Sequence, residues 1–446
     1  MNEGQSLRLA LTGDSMITRR LPRDGDAATR ALFGLIAGSD VAFTNIELVP
    51  NGFRGDPSAQ NGGSHIAAEP FVLDELLAAG FNLFNAGNNH SLDYGIAGLL
   101  ATIEELDRRG MVYAGVGHTL EAARMPVYLD RAGGSVALLA CCSTFAQGQE
   151  AGAQRPDAQG RPGITPLRFD TTYEIPSDQL AMLRNIAEGL GLERQRLESI
   201  QLGFGFPPAD PAALPFLGAT FRAAAAPAIR RTARVADVEA MAKWVRDARD
   251  RADVVIFSLH SHEQDDDPEA PPDFIRDMAR CMIDAGADVV VGHGPHLLRG
   301  MEFHRGRPIF YSLGNLIAQN ELVARLPADS YDRFKIAPDA TPAVLYRQRT
   351  QGGQRGFPAD RRYWESVLPC LTFVDGRLAD ITIDAVSLGF GEPTHRRGRP
   401  RLAAGEEASG ILHRFADLSR RCGTSMDAVS EVGGRLVLRP GVPPTA

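Results

Sequence analysis

Residues 81–109 read FNLFNAGNNHSLDYGIAGLLATIEELDRR. Phe81–Asn85 is a short apolar run of the kind that forms a buried strand. The next ten residues are rich in turn formers and carry Asn88, Asn89, His90 and Asp93. Ile96, Leu99, Leu100, Ile103 and Leu106 then recur at helical spacing, with Glu104, Glu105, Arg108 and Arg109 on other faces, which predicts an amphipathic helix. A strand, a polar loop and a helix in that order make one α/β unit. Its loop lies at the carboxyl end of the strand, where open α/β sheets collect their ligand-binding groups.

The same unit recurs outward in both directions. Leu7–Thr12 runs into Gly13-Asp14, and Val41–Thr44 runs into Asn45-Ile46-Glu47. Val136–Cys142 is nearly uninterrupted by polar residues, as suits a strand buried on both faces. A helix over Val238–Arg251 precedes the strand Asp253–Leu259, which ends in His260 and His262. A helix over Phe274–Ala285 precedes Asp288–Val291, which ends in His293 and His296. Two hairpins follow: Met301–Phe303 with Ile309–Leu313, turning at Arg305-Gly306, and Leu371–Val374 with Leu378–Ile383, turning at Asp375-Gly376. Alternating strands and helices followed by hairpins predict a layered α/β fold with a mixed sheet.

The rhythm breaks over residues 145–234. Pro156, Pro162, Pro166, Pro207, Pro208, Pro211 and Pro215 interrupt it, and only Leu180–Leu192 has helical spacing. This stretch reads as an insertion, a lid or substrate-binding element whose apolar content includes Phe204, Phe206, Phe216 and Phe221. The expected organisation is a main domain of residues 1–144 and 235–390, an insertion or lid of 145–234, and a peripheral C-terminal segment of 391–446.

Composition narrows the function classes. Of 446 residues, 44% are apolar and 23% charged, and the net charge of −8 argues against a nucleic-acid binder. Arg396, Arg397, Arg399 and Arg401 read as a solvated surface run. The five cysteines have no knuckle or framework spacing, which fits a reducing compartment. Leu7–Thr12 is too short for a signal sequence, and no apolar run approaches the ~18 residues of a membrane span. The expectation is a cytoplasmic protein that binds neither nucleic acid nor membrane.

Five strand ends thus carry Asp14, Asn45 with Glu47, Asn89 with His90, His260 with His262, and His293 with His296. Each has an ordinary structural reading. Asp14 could cap a helix, Asn45 and Glu47 could be turn residues, and Asn89-His90 could be a hydrogen-bonded pair. His262, followed by Glu263, Asp265, Asp266 and Asp267, reads as exposed, while His65, His118 and His304 read as structural. Carboxylates, an amide oxygen and imidazoles gathered on one edge can hold a divalent cation.

Gly87-Asn88-Asn89-His90-Ser91-Leu92-Asp93-Tyr94-Gly95 resembles the Asn-His block of calcineurin-like metallophosphoesterases. Gly13-Asp14 resembles their first block, and Gly292-His293-Gly294-Pro295-His296 their last with one residue inserted. Together with Asn45-Ile46-Glu47, Ser258-Leu259-His260 and Tyr311-Ser312-Leu313-Gly314-Asn315, the pattern resembles the CapA/PgsA family, named for capsule and poly-γ-glutamate synthesis. The resemblance runs from about Leu7 to Asn320, more loosely through Trp364 and Arg396–Arg401. It implies a four-layer α/β/β/α sandwich with an inserted segment. Two departures stand out: Met16 falls where a two-metal phosphoesterase carries a histidine, and Asn45-Ile46-Glu47 replaces the bridging aspartate block. Both favour one divalent ion (Ca, Mn or Zn) held by Asp14, Glu47, Asn89, His260 and His293.

The family's capsule-linked members carry an N-terminal membrane anchor, so this chain resembles the family's soluble branch, the lasso-peptide epimerase. That resemblance implies a peptide substrate and epimerisation at the Cα of the C-terminal residue of a ribosomal precursor. His90 and His296 would be the opposed acid and base, with Asp93 and Asp14 orienting them. The alternatives are a metal-dependent phosphoesterase and an accessory or binding protein in poly-γ-glutamate or capsule synthesis.

Overall fold

Leu7, Leu9 and Leu11 alternate with Ala10 along the first strand, and all four are buried. A strand with apolar residues on both faces needs a packed layer on each side. The computed structural model, which describes residues 5–61, 63–424, 430–431 and 435–438, supplies both layers. Leu7, Leu9, Leu11 and Phe43 join Val136, Leu138, Ile256 and Val291 in one core, while Ala10 and Phe84 face a second core with Leu32, Ile36, Val72, Leu76, Leu99 and Ile103. Each fully buried leucine contributes about 1.5–3 kcal/mol of gross transfer free energy.

The first core lies between two mixed sheets. In one, Arg377–Ser387, Glu365–Val374, Ser6–Met16, Val41–Ile46, Leu83–Asn85 and Tyr113–Ala114 follow in that order, and Asn315–Ala318 pairs beside the end of Ser6–Met16. In the other, the order is Leu298–His304, Arg307–Leu313, Val289–His293, Val254–His260, Gly134–Cys142 and Val127–Arg131. The second core holds the helices Ala27–Ala37, Phe71–Ala78 and Gly95–Arg108 against the first sheet. Helix Asp273–Ala285 buries Phe274, Met278 and Met282 beside the second. Helix Gly405–Arg421, expected at the periphery, instead places Ile411, Leu412 and Phe415 in the core between the sheets. Residues 425–429, 432–434 and 439–446 of the expected C-terminal segment lie outside the described residues. No helix among the described residues is long and apolar enough to cross a membrane.

The first strand extends to Met16, four residues past its expected end, because Asn315–Ala318 gives it a parallel partner there. That pairing depends on Gly13. A Cβ at residue 13 would stand 1.8 Å from the carbonyl oxygen of Gly314, to which the Asp14 N–H donates at 3.0 Å. Gly314 is where the chain leaves Arg307–Leu313 of the second sheet for Asn315–Ala318 of the first, with φ of +70°. The two glycines therefore let the sheets join.

Residues 168–237 form a compact unit of their own. Sequence periodicity predicts one helix in an irregular stretch there. The unit has two helices, Ser177–Gly189 and Leu192–Gln201, separated by Gly191 in the left-handed region with φ of +73°. It also has a four-stranded sheet in the order Leu214–Phe216, Ala219–Ala223, Phe169–Ile175, Ala228–Ala233. Pro215 sits in an edge strand, where a missing N–H is tolerated. The strands are short and partly exposed, so alternation is faint in their sequences. Residues 145–167 belong to the larger unit, where Ala151, Ile164 and Leu167 are buried.

Because backbone rather than a flexible side chain opposes Gly13, its replacement by alanine should cost about 3 kcal/mol or more. Urea unfolding of Gly13→Ala against wild type measures this, and a loss under about 0.5 kcal/mol would show that the joint yields easily.

Candidate metal centre

Parallel register sets Asp14 beside Asn45 and Asn45 beside Asn85 in the first sheet, and His260 beside His293 in the second. The strand ends of the two sheets thereby meet, and Asp14, Asn45, Glu47, His260 and His293 are all buried.

Asp14 is well bonded. Its Oδ1 accepts from Asn45 Nδ2 at 2.8 Å and its Oδ2 from the Gly294 N–H at 3.0 Å. His296 Nδ1 lies 3.5 Å from Oδ2 and His293 Nδ1 3.7 Å from Oδ1. Burial alone would raise this carboxyl, but the His296 contact and the surrounding imidazoles outweigh it and hold Asp14 well below the usual carboxylate range. The Asn45 amide is fixed in orientation, since its Oδ1 accepts from Asn85 Nδ2 at 2.7 Å and Asn88 Nδ2 at 3.2 Å. It consequently presents N–H, not oxygen, to Asp14.

Glu47 is the opposite case. Neither of its oxygens accepts a hydrogen bond from any donor among the described residues. The nearest imidazole nitrogens, Nε2 of His262 and of His296, are each 3.6 Å away, and that of His260 is 3.9 Å away. Burial first, and the Asp14 charge second, push its carboxyl well above the usual range. An isolated carboxylate out of water is costly, and a cation among these nitrogens removes that cost.

The imidazoles are crowded in the manner of ligands. His260 Nδ1 is 2.9 Å from His293 Nδ1, and His260 Nε2 is 3.0 Å from His262 Nε2 and 2.9 Å from Asn89 Oδ1. Burial lowers the pKa of His260 and brings that of His293 down to about 4. Neutral rings with free lone pairs are the form that binds metal. Two groups of possible ligands result: Asp14, His260 and His293, and Glu47, His262 and His296, with ligand atoms in each within 4.8 Å of one another. This donor set fits a divalent cation.

Of the residues expected at one ion, Asp14, His260 and His293 fall in the first group, Glu47 in the second, and Asn89 contacts His260. His262, read from its acidic neighbours as exposed, belongs to the second group instead. Its N–H donates to Thr144 Oγ1 at 2.8 Å, and Glu263 folds inward to accept from Ser143, from Thr144 at 2.7 Å and from Ser261 at 2.8 Å. The sequence does hold a signal for it, because residues 260 and 262 share one face of an extended chain. His296 has a left-handed backbone, φ +60°, unusual without glycine, and its Nδ1 contacts Asn315 Oδ1 at 2.9 Å.

His90 and Asp93 make a tight pair, Nδ1 to Oδ2 at 2.7 Å, and Asp93 Oδ2 also accepts from the Ile66 N–H at 2.8 Å. His90 and His296 both line a cavity of about 500 Å³ whose other walls include Met16, Ile66, Phe357 and Tyr363. Phe357 packs edge-on to His296 and stacks on Tyr363 with ring centroids 4.1 Å apart.

Comparison with known proteins gives a consistent picture. Residues 8–320 match the family model described as bacterial capsule synthesis protein PGA_cap. An uncharacterized Sinorhizobium fredii protein, y4sH, is 33% identical over 95% of this chain and 92% of its own length. The Bacillus subtilis PGA biosynthesis protein CapA is 24% identical over 63% of this chain and 57% of its own. The Bacillus anthracis capsule biosynthesis protein CapA is 23% identical over 71% and 60%. A Haemophilus influenzae NAD nucleotidase overlaps 93% of this chain and 56% of its own, but with a TM-score of 0.30 and 10% identity, too low to inform the fold.

The orphaned Glu47 sets a measurable expectation. Metal-free Glu47→Gln should be about 1–3 kcal/mol more stable than metal-free wild type, and should gain less stability from added Mn or Zn. Urea unfolding with and without chelator reads both. A variant less stable than wild type without metal, yet equally stabilised by it, would remove Glu47 from the ligand set.

Proposed function

The chain belongs to the PGA_cap family of bacterial capsule synthesis proteins, and from that premise we propose that it is a metal-dependent acid–base enzyme acting on a peptide or related polyamide. The carrying observation is that His90 and His296 line one cavity, each with a ring nitrogen held by a neighbour, beside the unpaired carboxylate of Glu47. Two face-to-face sheets with outer helices support reading the architecture as the four-layer α/β/β/α sandwich of calcineurin-like metallophosphoesterases. Free cysteines, four of them buried, are compatible with a cytoplasmic location.

The reaction we favour is epimerisation at the Cα of a C-terminal peptide residue, as in the lasso-peptide epimerase. Asp14, Glu47, His260, His262 and His293 would hold the ion, with Asn89 supporting His260. A donor set this rich in imidazole suits Mn or Zn better than Ca. When bound, the cation supplies electrostatic stabilisation for negative charge developing on the substrate carbonyl. The residues do the proton transfers. Asp93 takes the Nδ1–H of His90 and leaves Nε2 as the base that removes the Cα proton. Asn315 Oδ1 takes the Nδ1–H of His296, an orientation secured because Asn315 Nδ2 donates to the Tyr363 carbonyl at 3.1 Å. With five other side chains available to the ion, His296, doubly protonated at the start of the cycle, would give its Nε2 proton to the opposite face, with Asp14 beside it, while His90 keeps the proton it removed.

A second reading rests on the relatives. Two are named for PGA or capsule biosynthesis, which supports an accessory role in poly-glutamate or capsule synthesis. The readings share a polyamide substrate and differ in whether the centre performs chemistry on it. A third reading is a phosphoesterase, whose two-ion chemistry the two possible ligand groups would suit.

Deuterium exchange separates these readings. Wild type loaded with Mn, Zn or Ca in D₂O should place deuterium at the C-terminal Cα of its peptide and invert it. His90→Ala and His296→Ala should each lower inversion by about 100-fold or more. Absence of Cα exchange on a peptide that the loaded protein binds would leave the accessory role standing, and turnover of a phosphate ester abolished in His90→Ala would favour the hydrolase.

A further inference from the structure

Arg397 belongs to the arginine run that the sequence presents as a solvated surface, yet it is not solvated. Its Nε donates to Glu321 at 2.8 Å, and its guanidinium lies over the Trp364 ring at 5.2 Å. It forms part of the wall of a second cavity, of about 560 Å³, that the mechanism above does not use.

Four groups of basic type reach this cavity from three separate segments: Arg19 after the first strand, Arg347 on the helix Pro342–Arg349, and His395 with Arg397 in one turn. The only acid among its lining residues is Glu321, already taken by Arg397. Among the described residues neither Arg19 nor Arg347 has a carboxylate partner. A basic residue in the last turn of a helix is ordinary, since it meets the negative end of the helix dipole, and that accounts for Arg347. It does not account for Arg19 and His395, which come from elsewhere to the same space. In a chain of net charge −8, the guanidiniums of Arg19 and Arg347 in one concavity make a local field that attracts anions.

The second cavity adjoins the first. Glu321, Tyr346 and Thr350 line both, so they form a shared partition. Arg347 faces one side, and Arg349, two residues on, lines the other with Arg355. Three shared lining residues make the two cavities neighbours, as an extended chain occupying both would require.

We propose that the cavity bounded by Arg19, Arg347 and Arg397 is a carboxylate-binding subsite, which takes an acidic side chain of the same polyamide whose reacting residue occupies the cavity of His90 and His296. The subsite rests on the polyamide reading of the function, and its test needs no turnover. The affinity of the full-length, metal-loaded protein is measured for pentaglutamate and pentaglutamine, the former in α-linked and γ-linked forms. At least one glutamate probe should bind about tenfold or more tightly than the glutamine probe, and rising salt should erode that preference. Arg19→Gln with Arg347→Gln should bring the preference near unity at unchanged thermal stability, while Arg396→Gln, outside the cavity, should leave it intact. Equal affinities in wild type, or a preference that survives the double substitution, would overturn the subsite. So would displacement of glutamate by inorganic phosphate at concentrations where acetate has no effect, which would mark a phosphate site. Loss of Cα exchange with the binding preference intact would count against the epimerase and not against the subsite.

Discussion

The hydrogen bond from the Asp14 N–H to the Gly314 carbonyl holds the centre together. Gly314 is the single residue between a strand of one sheet and a strand of the other, and Gly13 admits its carbonyl by having no side chain. One backbone contact thus fixes the carboxyl end of an interior strand of the first sheet against that of an interior strand of the second. Once it is made, the parallel register on each side places Asp14, Asn45 and Asn85 in one row and His260 and His293 in another. The geometry of Asp14, His260 and His293 is therefore a by-product of strand pairing, while Glu47, His262 and His296 are set by the loops that follow strands. The loop residues are Glu47, Asn89 and His262, each past a strand end, and His296, a left-handed histidine held by Asn315.

The electrostatics of the centre are asymmetric in a way that the geometry explains. Asp14 is surrounded by donors and stays ionised without help. Glu47 lies immediately after the next strand, where no donor among the described residues bonds it, with imidazole nitrogens and the charges of Asp14 and Asp93 as its neighbours. Natural interiors seldom leave a carboxylate in that condition without a counterion. The crowding of His260 against both His262 and His293 has the same origin, since neutral rings at these separations share few protons and have lone pairs to spare.

Much of this was legible in the chain itself. Apolar runs ending in Asp14, Glu47, Asn89, His260 and His293 marked strand ends; the fold brings Asp14, His260 and His293 into one possible ligand group and Glu47 into another, with Asn89 against His260. Three features were not legible, each for a physical reason. His262 was hidden by the acidic residues after it, because charge pattern alone cannot show that Ser143, Thr144 and Ser261 turn Glu263 inward. The small sheet within residues 168–237 was hidden by short, half-exposed strands and an edge proline, which carry no two-residue apolar period. The core position of helix Gly405–Arg421 was hidden because amphipathic spacing reveals that a helix has a buried face, and not which layer receives it.

The joint at Gly314 also constrains the order of events during synthesis. Asp14, Glu47 and Asn89 leave the ribosome long before His260, His262 and His293, and the residue that locks the first strand into place comes later still. Contacts of such sequence separation form slowly, after local helices and hairpins. A nascent chain therefore has no complete candidate cation site until most of it is synthesised, so any cation it binds would be acquired by a nearly finished fold. Selectivity between competing ions would then rest on a preformed cage, rather than on the affinity of flexible histidines in an unfolded chain.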